Sequence, residues 1–235
     1  MTNIKNNLHT VKDEIAQALE RRRTSLGNAE VDEVTLVAVT KNHEVDMMRE
    51  AIDLGVSEIG ENRIQEASEK FAVLDRQVKW HLIGHLQTNK VKPAVKMFDL
   101  IHSIDSRHLA EAVNSAAKLI GKVQDVLIQV NLAKEDSKTG IELEDLDGLI
   151  ETVDNFENLR LQGLMMIAPN YEDVGQCRPL FRQMYELFQR LRSSKLNRAD
   201  IKYLSMGMTH DYQIAIEEGA NIVRVGTAIF GARTY

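Results

Sequence analysis

Thr35-Leu36-Val37-Ala38-Val39-Thr40-Lys41 is an apolar run that ends on an amine. Its length and its valines suit a strand buried on both faces, as in a parallel sheet, and the lysine marks where strand gives way to turn. In an α/β barrel the C-terminal strand ends carry the chemistry, so an amine delivered there on a rigid element is a candidate Schiff-base former. Taken alone, the same lysine reads as an ordinary side chain whose ammonium snorkels into solvent.

Outward from this run, short apolar segments alternate with longer amphipathic ones, the pattern of βα units. Strands are expected at 35–40, 56–59, 80–83, 99–103, 125–130, 159–166, 201–205 and 222–225. Helices are expected between them, with a short last one near 227–231 and an additional N-terminal helix over 3–23, where Leu8, Val11, Ile15 and Leu19 form one stripe. The fold class is therefore α/β, a (β/α)8 TIM barrel with an extra N-terminal helix, built as a single domain over 1–235. An open doubly wound sheet would place a glycine-rich fingerprint after the first strand; here Val39 is followed by Thr40-Lys41-Asn42-His43.

The formal net charge of −6, with no basic face or interleaved aromatics, argues against a nucleic-acid partner and against an anionic membrane surface. The one dense basic cluster, Arg21-Arg22-Arg23, reads as a solvated helix end that complements the helix dipole. A single cysteine, Cys177, excludes an intrachain disulfide and fits a reducing compartment, and no apolar run has signal-peptide or membrane-spanning length. A cytoplasmic protein is the expectation.

Residues that follow the strands should converge even when far apart in sequence. Strand seven leads into Ser205-Met206-Gly207-Met208 and strand eight into Arg224-Val225-Gly226-Thr227. Glycines with hydroxyl side chains at these two positions, feeding a short helix, are what a barrel uses to cradle phosphate through backbone N–H groups. Arg224 lies between two valines, where a permanent charge needs a partner: either a ligand or a carboxylate such as Glu61. His81, beside Trp80, reads as a hydrogen-bonded core histidine, and no His, Cys or carboxylate set has metal-ligand spacing.

With Lys41 on strand one and these loops on strands seven and eight, the chain resembles the pyridoxal phosphate homeostasis protein family, single-domain relatives of the N-terminal barrel of alanine racemase. The stretches that carry the likeness are Ala38-Val39-Thr40-Lys41, Ile59-Gly60-Glu61-Asn62-Arg63-Ile64-Gln65-Glu66, Trp80-His81-Leu82-Ile83-Gly84-His85-Leu86-Gln87-Thr88-Asn89-Lys90, Glu135-Asp136-Ser137-Lys138-Thr139-Gly140, Gly163-Leu164-Met165, Leu204-Ser205-Met206-Gly207-Met208 and Val223-Arg224-Val225-Gly226-Thr227-Ala228-Ile229-Phe230-Gly231. The resemblance implies pyridoxal 5'-phosphate held as a Schiff base on Lys41, its phosphate on Ser205, Gly226 and Thr227, its pyridine nitrogen at Arg224, and Asn62 and Met165 near the ring. Two departures stand out: Thr40 where serine is commoner, and Thr209-His210-Asp211 in place of Ser-x-Asp. Lys138 is a candidate for a second anion site or a solvated loop lysine.

An arginine at the pyridine nitrogen disfavours its protonation and weakens the ring as an electron sink. The racemase resembled here also takes a tyrosine from a second, β-rich domain of a partner subunit, which this chain is not expected to have. The reading is thus a monomeric carrier that binds pyridoxal phosphate and serves apo-enzymes that need it, rather than a robust catalyst. A low-activity amino-acid racemase is the first alternative. A Schiff-base aldolase would need an amine on strand six, where Met165-Met166-Ile167 stand instead.

Overall fold

The computed structural model describes residues 3–133 and 139–232, so Lys138 lies outside the described residues. Among these, eight parallel strands close into a barrel in sequence order: β1 Thr35–Val39, β2 Glu58–Glu61, β3 Lys79–Leu82, β4 Leu100–Ile104, β5 Gln124–Gln129, β6 Leu159–Met165, β7 Tyr203–Met208 and β8 Ile222–Val225. The opening run makes the seam, with Thr35 to Ala38 pairing Ile222 to Val225 on β8, while Ala38 and Val39 pair Ile59 and Gly60 on β2. Helix α1, Ile4–Ser25, precedes the barrel; α2 Val45–Asp53, α3 Ile64–Val73, α4 Val91–Met97, α5 Arg107–Leu119, α6 Leu143–Asp154, α7 Arg178–Arg192 and α8 Tyr212–Glu217 each follow one strand, and α9, Thr227–Phe230, follows the last.

Two apolar layers hold the fold, because successive strand residues point to opposite faces. Ala38, Ile59, Leu82, Leu204 and Val223 face the helices, where they join the main core. Val37, Leu100, Leu127, Met165 and Ile222 form a separate, smaller cluster inside the barrel. The interior is only partly apolar: His81, His102, Ser205 and Arg224 are buried as well.

Two strands end at least two residues later than expected. Strand β2 runs on through Gly60 and Glu61, and β7 extends to Met208. Glycine ordinarily punctuates, but parallel ladders are made by backbone groups and need no side chain. The N-terminal helix also does more than expected. Asn3 Oδ1 accepts from Asn6 N–H at 2.9 Å to cap it. At its other end Arg22 is not solvated but 8% exposed, its Nη1 donating to Glu217 O at 2.9 Å and its guanidinium 4.6 Å from the Tyr185 ring centre. Arg21 pairs with the Glu217 carboxylate at 2.6 Å, and Asn7 Nδ2 donates to Ile229 O at 2.9 Å. Helix α1 is therefore strapped across α8 and α9, the two elements that flank β8.

Candidate functional site

At the C-terminal mouth of the barrel a cavity of about 240 Å3 is lined by Lys41, Asn62, Arg224, Gly226 and Thr227, which are five of the seven residues expected at the site. Val39, Ile83, Ile167 and Met208 supply apolar wall, and Thr209 and His210 stand at the same cavity. Sequence reasoning missed Ile83 and Ile167. They are ordinary apolar strand-end residues, and only closure of the barrel brings them to the mouth. Met208, His210 and Thr227 are exposed, so the mouth opens to solvent. A larger groove of about 450 Å3 lies outside the barrel between α6 and α7, on helix faces remote from these strand ends.

Met165 and Ser205 do not reach the cavity. Both are fully buried, Met165 in the interior apolar cluster and Ser205 beside Arg224. Since β7 continues to Met208, Ser205 is an inward-facing strand residue and not part of a loop. Its hydroxyl accepts from Arg224 Nη1 at 2.6 Å, while Nη2 donates to Met166 O at 2.9 Å. Glu61, the carboxylate considered for Arg224, is engaged elsewhere with Lys70. Burial pulls the Arg224 guanidinium down to about 10, which still leaves it cationic at neutral pH. The last turn of β7 has Gly207 at φ +93, where an added Cβ would lie 2.6 Å from Ala215 Cβ and 2.9 Å from Tyr212 Cα. Glycine is required there, and the turn it permits carries Thr209 and His210 to the rim.

The backbone around Lys41 is clamped from behind. Lys70 on α3 is 6% exposed, and its Nζ donates to Thr40 O at 2.7 Å, to Glu61 Oε1 at 2.8 Å and to Glu66 Oε1 at 2.6 Å. Thr40 Oγ1 donates to Glu61 Oε1 at 2.6 Å, and Glu66 Oε1 accepts the Asn42 N–H. Both neighbours of Lys41 are thus fixed by charge-assisted bonds, with Asn42 at φ 60, while Lys41 itself stays half-buried at the cavity. Thr40 points away from the mouth, toward Glu61. Burial pushes the Glu61 carboxyl above the ordinary range, and the charge and hydrogen bond of Lys70 offset this only in part. Its Oε2 is buried without a partner.

Asn62 sits between β2 and α3, and its Oδ1 is a buried oxygen with no hydrogen-bond partner. Such an atom costs free energy unless something donates to it. Its backbone is held by close approach of Gly84, where an added Cβ would fall 2.3 Å from Asn62 O and 2.8 Å from Asn62 Cα. Gly84→Ala must push Asn62 off this position, and we expect it to cost about 1–3 kcal/mol in urea unfolding, the range for overpacking a close-fitted site. An unchanged midpoint would mean that the contact is slack.

A family model described as alanine racemase, N-terminal domain, matches residues 12–234. A pyridoxal phosphate homeostasis protein of Aquifex aeolicus is 41% identical over 226 residues, covering 95% of this chain and 98% of the relative. PipY of Synechococcus elongatus has been solved without and with PLP; the PLP-bound structure is 36% identical with a TM-score of 0.76, covering 91% of this chain and 100% of that one. Alanine racemase of Clostridium difficile shares the fold alone, at 15% identity and a TM-score of 0.67, with 95% of this chain and 58% of that chain covered.

Proposed function

Because the chain belongs to the pyridoxal phosphate homeostasis protein family, we propose that it binds pyridoxal 5'-phosphate at the C-terminal mouth of its barrel, tethered through Lys41, and serves the homeostasis of that cofactor. The observation that carries this reading is the convergence of Lys41 from the end of β1 and Arg224 from β8 on one apolar-walled cavity. The residues fit the group. Lys41 offers an amine to an aldehyde, Val39, Ile83 and Ile167 can pack against an aromatic ring, and Asn62 Oδ1 awaits a donor. Gly226 and Thr227 open α9, whose first N–H groups have no partner within the helix and suit phosphate oxygens.

When bound, the cofactor supplies an aldehyde for amines and a ring able to delocalise negative charge. The protein's part is positional. The Lys70 clamp holds the backbone beside Lys41 still, so that Nζ would be offered to the cofactor from a fixed base. Arg224, a cation held by Ser205 and Met166 O, would face the ring nitrogen and oppose uptake of a proton there. Ser205 and Met165 act from beneath, Ser205 through Arg224 and Met165 as packing under the floor.

This arrangement binds the cofactor without equipping it for turnover. The exposed rim of Met208, His210 and Thr227 leaves the ligand open to water and to exchange. The chain acts as a cytoplasmic, monomeric carrier that passes pyridoxal phosphate to apo-enzymes, with neither nucleic acid nor membrane as a partner. Among the described residues no helix is long and apolar enough to cross a membrane. Titration of the apo-protein with pyridoxal phosphate, followed by absorbance, is expected to saturate at one equivalent; unsaturable uptake overturns the reading. Solvent deuterium should enter the α-carbon of alanine or serine far more slowly than with a dedicated racemase. A comparable rate would replace the carrier by an enzyme.

A further inference from the structure

The barrel has a second mouth. At the N-terminal ends of the strands a cavity of about 330 Å3 is lined by Glu58, Lys79, His81, Asp99, Lys122 and Lys202 among others. Between it and the ligand site runs a file of buried polar groups. Arg224 Nη1 lies 2.6 Å from Ser205 Oγ, His102 Nδ1 lies 3.0 Å from the same Oγ, and His102 Nε2 lies 2.9 Å from His81 Nδ1. His81 Nε2 ends the file 2.9 Å from Glu58 Oε2, in an oblique rather than an in-line contact. His102 and Ser205 are 0% exposed and His81 is 3% exposed.

The two ends dictate how the hydrogens lie. A guanidinium only donates, so Ser205 Oγ accepts from Arg224; a carboxylate only accepts, so His81 Nε2 carries a hydrogen toward Glu58. Burial above all keeps His102 well below the ordinary imidazole value, so it is neutral and has one N–H. With one hydrogen on each ring, placing that of His102 on Nδ1 would set the lone pairs of His102 Nε2 and His81 Nδ1 against each other at 2.9 Å, whereas a doubly protonated His81 would donate to His102 and reverse the order. With the His102 hydrogen on Nε2, the donors point one way, Arg224 to Ser205, Ser205 to His102 and His102 to His81, and the His81 Nε2–H is left against the Glu58 carboxylate in a charge contact. Burial raises the Glu58 carboxyl, but His81 and Lys79 beside it outweigh this and leave it below the ordinary range, hence anionic.

We propose that Glu58, His81, His102 and Ser205 are positioning residues for Arg224: a one-way hydrogen-bond chain through the barrel keeps the Ser205 lone pair turned to the guanidinium and so fixes the ligand-side arginine from the opposite mouth. The consequence for the cofactor rests on the reading that Arg224 meets its ring, whereas the direction of the chain does not. Breaking the chain at His81 lets the His102 hydrogen and the Ser205 hydroxyl reorient, and Arg224 loses one of its two anchors.

The test has an arm that needs no cofactor. In apo-protein labelled with nitrogen-15 at histidine, long-range proton–nitrogen spectra should show His102 and His81 as Nε2–H tautomers. In His81→Leu a share of His102 should move to Nδ1–H, pyridoxal phosphate should leave about tenfold faster, as expected for a weakened bond to a charged group, and its bound absorbance maximum should shift. His81→Gln should restore all three, since a side-chain amide can accept from His102 and donate to Glu58. If His81→Leu folds poorly, Glu58→Leu at the rim removes the terminal acceptor and must move the same tautomer. An Nδ1–H tautomer at His102 in the unaltered protein overturns the proposal, as does a folded His81→Leu protein with unchanged tautomer, release and spectrum. Failure of the unaltered protein to bind pyridoxal phosphate would instead sink the functional reading, and the tautomers would still decide the chain.

Discussion

Lys41→Ala is expected to abolish the covalent adduct completely: after borohydride reduction in the presence of pyridoxal phosphate, no peptide should carry the added mass, whereas in the unaltered protein the mass falls on the peptide with Lys41. Apparent affinity should drop at least about tenfold, because only the phosphate and ring contacts remain. Stability should barely move. Lys41 is half-buried at the end of β1, and losing such a surface side chain costs within about 0.5 kcal/mol. That separation makes the variant decisive. A reduced adduct on a different lysine, or a normal Schiff-base absorbance in Lys41→Ala, would remove the foundation of the proposed function.

Lys70→Met is expected to give the opposite profile, a large loss of stability from a residue outside the cavity. Lys70 is the shared partner of Glu61, Glu66 and the Thr40 carbonyl, and removing one member of a buried ion pair strands the other, typically at a cost of about 3–5 kcal/mol. Urea unfolding at neutral pH measures it. The pH dependence carries a definite sign. Glu61 already sits above its ordinary value of 4.5 in the folded protein, and without the lysine it should rise further. A carboxyl raised on folding takes up a proton as it folds, so its penalty is greatest at neutral pH and shrinks as pH falls through the raised folded value toward 4.5. Glu61→Gln in the Lys70→Met background should recover part of the loss at pH 7. If the single variant unfolds at the same urea concentration as the unaltered protein, the clamp is not what holds the strand end.

Much of this was legible in the sequence, and the reasons for the exceptions are specific. The strands were readable because each is a short apolar run bounded by polar residues; Lys41, Asn62, Gly226 and Thr227 follow such runs, Arg224 stands out as a charge inside one, and the family likeness joined them into a site. Ser205 was assigned to the phosphate because the strand was expected to stop at 205, whereas β7 runs on to Met208 and the serine points inward. The partner of Arg224 could not be deduced. It depends on which residues of β3, β4 and β7 share a height inside a closed barrel, and that stagger is a property of all eight strands together. Arg22 misled for a related reason: a cluster of three arginines looks solvated until α8 and Tyr185 are brought alongside it.

The strap that α1 lays across α8 and α9 also sets an order of assembly. Asn7 grips Ile229, 222 residues later, and the second edge of β1 is closed by β8, so α1 and β1 wait for partners made long after them. Such distant pairing is slow to form, since the loop must close before any contact rewards it. A nascent chain displaying Lys41 has an amine but no cradle at Gly226 and Thr227. During synthesis the protein can therefore neither sequester its ligand early nor use that ligand as a template, and loading must follow barrel closure.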